Sequence, residues 1–321
     1  MQNLLSITPK KKIYELLPKS IENSRIKGLE ELDTSSALSE TRKRFYKLTL
    51  DGSPDLHLSY GERLKDTYER LKAFNRQLPR YTCKPVFFSE GQKYDLLGQE
   101  FFSGQPIDKA LISGKVSEHE VTEILDKLRI ALKSLEVDSS KSAMLSELNE
   151  FGNLLKQNKF FSEFDKTVLT ESLLPYLKEK SSCLAPKIRW SNGDMAARNI
   201  ILSDNTDFRI IDCEFALQTH FFDEDWVRLS RYSHSQFSSL TSINKQIAQP
   251  NEFIATFFWL RQALLESQIH SDQCDSNSLK KDLEIDLSNA YLTINSLKSL
   301  QKKPSLLLKG ISRQLFDHIK W

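Results

Sequence analysis

The 321-residue sequence predicts an α+β protein: a small N-terminal lobe built on an antiparallel sheet with one helix, then a larger, mainly helical lobe. Three observations predict it. Short strand-like runs, several alternating between apolar and polar residues, fill much of residues 26–102. From Glu118 onward apolar residues recur at three- and four-residue spacing, the period of a helix face. Inside the helical part, the stretch from Trp190 to Phe215 returns to β-type runs around a polar loop.

The N-terminal elements follow in order. Residues up to about 25 read as a polar lead-in with one amphipathic turn at Ile13–Leu17. A strand is expected from Ile26 to Leu32, then a small, hydroxyl-rich loop that includes Ser35, Ser36 and Ser39. Arg44–Leu50 alternates as a strand and contains Lys47. Asp51-Gly52 is a hairpin turn, so Asp55–Ser59 forms a competing candidate for the third strand. Glu62 opens a helical pattern with Leu64, Tyr68, Leu71 and Phe74 on one face. Lys84–Ser89 and Tyr94–Phe102 are strand-like around Glu90-Gly91-Gln92, and S-G-Q-P-I then breaks the chain near Ser103. That break divides residues 1–103 from 104–321.

In the second part, Glu118–Leu135, Met144–Leu155, Asp165–Lys180, Phe253–Ile269 and Leu279–Leu300 carry helical apolar stripes. A helix is also expected to start within Phe221–Tyr232, with acids in its first turns, where a helix dipole favours them. The tail from Lys302 is basic and amphipathic. It fits docking on the large lobe better than contact with an anionic membrane surface.

Composition excludes several classes. A net charge of +2 is too small to argue for a nucleic-acid surface. The four cysteines are widely spaced with no C-x-x-C, which fits a reducing, cytoplasmic setting rather than a disulfide framework or zinc site. No secretory signal is visible, and the longest apolar run, Phe253–Leu260, is too short for a transmembrane segment.

The chemistry concentrates in W-S-N-G-D-M-A-A-R-N-I-I-L and F-R-I-I-D-C-E-F. A loop, a hairpin and a strand end would bring Asp194, Asn199 and Asp212 to one point. Mg²⁺ takes oxygen ligands and usually one or two from protein, with phosphates supplying others. That leaves a carboxylate free to orient a hydroxyl, the division of labour of phosphoryl transfer.

N-G-D-M-A-A-R-N followed by I-D-C-E-F resembles the active-site signature of the aminoglycoside phosphotransferase and choline kinase group. The resemblance implies a bilobal protein-kinase-like fold, ATP and Mg²⁺ as cofactors, and transfer to a small-molecule acceptor. It implies Asp194 as the catalytic carboxylate, Asn199 and Asp212 as metal ligands, and Glu214 as a companion behind them. Asn192 stands where this group usually has His, a residue that braces the loop. The segment L-L-G-Q-E-F-F-S-G-Q-P-I resembles the group's hinge, which implies that backbone groups of Gln99, Glu100, Phe101 and Phe102 meet adenine. Lys47 with Glu62 fits the strand-lysine and helix-glutamate pair that holds phosphates; a surface Lys and a helix-start Glu account for the same residues. Ser36 and its neighbours fit a phosphate-covering loop or an ordinary turn. Asp225 fits an acid that supports the catalytic loop.

The acceptor is less legible. Trp226, Tyr232, Phe257 and Trp259 are available for an aromatic cage around a quaternary ammonium. No acidic run marks an aminoglycoside groove, so a sugar or envelope-glycan hydroxyl is the default. The alternative from another class is a pseudokinase-type nucleotide-binding or protein-interaction module, favoured by the missing glycine loop and by Asn192.

Overall fold

The computed structural model describes residues 8–22, 25–32, 43–204, 207–231 and 251–270, with isolated helical positions between 283 and 290. Ser35, Ser36, Ser39, Tyr232 and the basic tail lie outside the described residues. The chain forms two compact units.

Of the described residues, the first unit takes those up to Leu132 and those within Asn192–Leu217. Its sheet contains β1 (Ile26–Glu31), β2 (Arg44–Leu50), β3 (Leu56–Gly61), β4 (Pro85–Ser89) and β5 (Asp95–Glu100), in the order β1-β2-β3-β5-β4. The pairings within it are antiparallel. Gly52, with φ 71°, supplies the left-handed residue of the turn into β3. The competing reading of Asp55–Ser59 is therefore the correct one: the third strand begins at Leu56, and Lys47 lies on the second.

Period-two alternation divides the sheet into two faces. Tyr46, Leu48 and Leu50 of β2 and Leu56, Leu58 and Tyr60 of β3 are buried in one apolar cluster. Helix α1 (Thr8–Leu16) contributes Ile13 to that cluster, which also takes Leu17. A second short helix, α2 (Lys19–Glu22), follows. The other face carries Phe45, Lys47, His57 and Gln99, with Lys47 opposite His57 and His57 opposite Gln99. Helix α3 (Leu64–Gln77) starts two residues later than predicted, after Arg63 in left-handed backbone, so Glu62 lies in the turn before it.

Beyond the sheet, this unit continues through β6 (Gln105–Pro106), α4 (Ile107–Ile112) and α5 (Glu118–Lys133). A hairpin of β9 (Ile200–Leu202) and β10 (Phe208–Ile210) returns to it, with β6 added on the free side of β9.

Of the described residues, the second unit takes Lys133–Ser191, Gln218–Arg231 and those from Asn251 onward. It holds α6 (Lys141–Lys156), α7 (Glu163–Val168), α8 (Leu174–Ser181), α9 (Glu224–Arg231) and α10 (Asn251–His270). A small sheet of β7 (Val137–Asp138), β8 (Lys187–Ser191) and β11 (Leu217–Thr219) accompanies them. The helix predicted over Asp165–Lys180 is interrupted by a π turn at Leu169–Leu173. Pro175 follows it, and a residue without an N–H cannot complete the ordinary ladder there. Trp226 is fully buried and Phe257 packs at a tilt against Phe151 and Phe221 in the core, so neither lines an aromatic cage.

Helix α1 tests whether the lead-in belongs to the fold. Ile13 is fully buried and the neighbouring Tyr14 is 40% exposed. Ile13→Ala should lower unfolding free energy by about 2–4 kcal/mol in urea titration, and Tyr14→Ala by no more than about 0.5 kcal/mol. Equal, negligible effects would detach α1 from the core.

Candidate active site

The β9–β10 hairpin builds the site. Ile200 pairs with Ile210, which sets Asn199 opposite Ile211 just outside the ladder. The Ile211 N–H donates to the Asn199 carbonyl at 2.8 Å, closing the pair. Asp212 is the next residue, so the hairpin register alone brings it near Asn199. Asp194 is held by the loop between β8 and β9. Asn199 Nδ2 donates to the Asp194 carbonyl at 2.9 Å and to its Oδ2 at 3.3 Å. With the amide nitrogen committed, Asn199 Oδ1 is the atom left to meet a cation.

Asn192 performs a bracing job. It is fully buried. Its Oδ1 accepts from the Asp194 N–H at 3.2 Å, and its Nδ2 donates to the Asp212 carbonyl at 3.5 Å. One side chain thus ties the loop to the end of β10. The neighbouring Gly193 has φ 76°, and a Cβ there would stand 2.3 Å from the Phe215 carbonyl oxygen. Only glycine fits this approach.

Asp212 itself has φ 57°, left-handed backbone that costs a non-glycine residue of order 1 kcal/mol or more. Enclosure by the protein pushes its carboxyl above the usual carboxylate range. The charges of Glu214 and Asp194 add to the rise, while Lys43 and Arg198 oppose it. Three carboxylates converge, and oxygen donors in surplus negative field suit a hard divalent cation. Among the described residues no group of three or more His, Cys, Asp or Glu is arranged to hold a metal by itself. A magnesium ion that takes one or two protein ligands, with phosphate and water for the rest, does not need one.

The structure does not bring Lys47 to Glu62. Lys47 pairs with Asp55 at 3.0 Å and lies 4.6 Å above the Phe101 ring. It stands opposite His57, and Glu62 is five residues further along, roughly 16 Å at strand rise. Sequence reasoning missed two other basic residues. Lys43 pairs with the Glu214 carboxylate, and Arg70 of α3 donates to the Glu214 carbonyl at 3.1 Å. Of the expected hinge residues, Gln99 is buried and its side chain meets His57 Nδ1 at 3.1 Å. The Glu100 and Phe101 N–H groups donate to Lys84 and Asp55 carbonyls, both at 2.9 Å. Phe102 lies 5.1 Å from the Arg209 guanidinium. In the second unit Asp225 is fully buried; with Asp223 and Glu136 it opposes the burial that lowers the Arg189 pKa.

No protein-family model matches the chain, nor does any curated protein sequence at a significant level. Solved structures do match its fold. A thermostable mutant of aminoglycoside phosphotransferase APH(4)-Ia superposes with TM-score 0.58 at 8% identity, covering 84% of this chain and 95% of the other. The shared fold is protein-kinase-like. A putative fructosamine-3-kinase from Haemophilus somnus 129PT gives TM-score 0.55 at 12% identity, over 89% of this chain and 99% of its own. ADP-bound aminoglycoside phosphotransferase APH(2'')-Ib gives 0.55 at 14% identity, over 88% and 99%. At such identities the likeness is one of fold, α+β and bilobal.

His57 provides a pH test of the sheet face next to the site. Its ring stacks on Phe45 with centroids 5.5 Å apart, and burial pushes its pKa down to about 4 from 6.5. Between those values the unfolded chain binds a proton that the folded chain refuses, so stability falls as pH drops through this window. His57→Gln should flatten that part of the stability–pH curve, measured by urea unfolding from pH 4 to 7. An unchanged slope would remove His57 as its source.

Proposed function

We propose that this chain is an ATP-dependent phosphotransferase that moves the γ-phosphoryl group to a hydroxyl of a small molecule. The observation that carries the reading is the convergence of Asp194, Asn199 and Asp212, with Asp212 in left-handed backbone and Asn192 tying the loop to it. Residues 1–103 would serve as the nucleotide-binding lobe and 104–321 as the catalytic and acceptor-binding lobe. Bound Mg·ATP would supply the phosphoryl group and the cation that neutralises its charge, held by Asn199 and Asp212. Asp194 orients the acceptor hydroxyl and takes its proton. Arg198 Nη2, 3.6 Å from Asp194 Oδ2, keeps a positive charge beside that carboxylate.

For the acceptor, the buried Trp226 and Phe257 argue against a quaternary-ammonium cage, so a sugar or envelope-glycan hydroxyl remains our assignment. Among the described residues Cys83, Cys183 and Cys213 form no disulfide, which fits the cytoplasmic setting we propose. Among the described residues, no helix is long and apolar enough to cross a membrane.

Two near-isosteric substitutions test the roles. Asp194→Asn should leave Mg·ATP affinity nearly unchanged and cut kcat by roughly 10²–10⁴. Asp212→Asn should lower nucleotide affinity and turnover together. Affinity would be read by thermal shift with Mg·ATP, and turnover by ATP consumption across a panel of sugars, amino alcohols and aminoglycosides. Asp194→Asn with wild-type kcat would refute the assignment of the base.

A further inference from the structure

We propose that Lys43 is the lysine that binds the nucleotide phosphates, and that Glu214 is the residue that holds it in place. This rests on the phosphotransferase reading and adds to it a residue outside the expected strand-lysine and helix-glutamate pair.

The geometry excludes the usual arrangement. Strand β3 reads L-H-L-S-Y-G and has no lysine. Its residues on the face shared with Lys47 include His57 and Ser59. Strands β4 and β5 read P-V-F-F-S and D-L-L-G-Q-E, again without lysine. On β1, Lys27 is committed to Asp51 at 2.7 Å. Lys47 is committed to Asp55 and the Phe101 ring.

Lys43 immediately precedes β2 and has the same parity as Phe45 and Lys47. It lies four residues from Lys47, roughly 13 Å at strand rise. Its ammonium pairs with the carboxylate of Glu214, two residues past Asp212. Both partners are about one-quarter exposed, so a ligand can approach the pair. The helix reverses the expected polarity as well. At the Glu214 segment α3 presents Arg70, which binds the backbone carbonyl. Glu214 therefore takes over the anchoring task expected of a helix glutamate: its carboxylate fixes the lysine and its carbonyl fixes the helix.

The test measures phosphate dependence of binding with no metal and no turnover. ADP, AMP and adenosine would be titrated calorimetrically into the protein in EDTA. Wild type should bind ADP more tightly than AMP or adenosine. Lys43→Ala should weaken ADP about 10–100-fold, the worth of a charged hydrogen bond, and leave adenosine within about twofold. Lys65→Ala, an exposed lysine on α3, controls for net charge and should change nothing. Glu214→Gln should give part of the loss, and the double variant should lose less than the sum. If Lys43→Ala unfolds by circular dichroism, Lys43→Gln replaces it and keeps much of the stem. An undiminished preference for ADP in a folded Lys43 variant overturns this inference and leaves the phosphotransferase reading standing. Wild type that binds no nucleotide overturns both.

Discussion

Asp212 is held in left-handed backbone, and the hydrogen bonds that surround it are those that assemble the site. An L-residue adopts this conformation only when its neighbours over-determine it. Here the preceding N–H is tied to Asn199, and the Asp212 carbonyl accepts from Asn192. The same two asparagines grip Asp194. Releasing either would loosen two carboxylates at once, which couples local stability to the chemistry proposed here.

Charge is the second constraint. Asp194 and Glu214 repel the Asp212 carboxylate, and Lys43 and Arg198 oppose that repulsion. A site left with excess negative field favours whichever cationic species completes it. The phosphates that accompany such a cation then need a positive partner of their own, the role we propose for Lys43.

Much of this was legible in the sequence because it is set by short-range rules. The strand and helix periods located most elements, and D-x-x-x-x-N followed by a hairpin located Asp194, Asn199 and Asp212. The resemblance marked Asn192 as a loop-bracing position, but its two partners were not legible, because they are backbone groups that any polar side chain of suitable reach can bind. The lysine assignment failed for a different reason. The turn at Gly52 begins β3 at Leu56, and that strand register separates Lys47 from Glu62. The Lys43–Glu214 pair joins residues 171 positions apart. No local pattern encodes such a contact, although the shared parity of Lys43 and Lys47 could have marked Lys43 as an alternative. The burial of Trp226 and Phe257 was not legible either, because it is decided by helix packing.

The central claim is that Asp212 is poised to hold a divalent cation together with a nucleotide. The most direct measurement uses Mn²⁺ as a spectroscopic stand-in and follows free Mn²⁺ by electron paramagnetic resonance during titration with protein and ADP. The account predicts one Mn²⁺ bound per chain with ADP present, weakened at least tenfold by Asp212→Asn in a variant that remains folded. Equal binding of Mn²⁺·ADP by wild type and Asp212→Asn would contradict it.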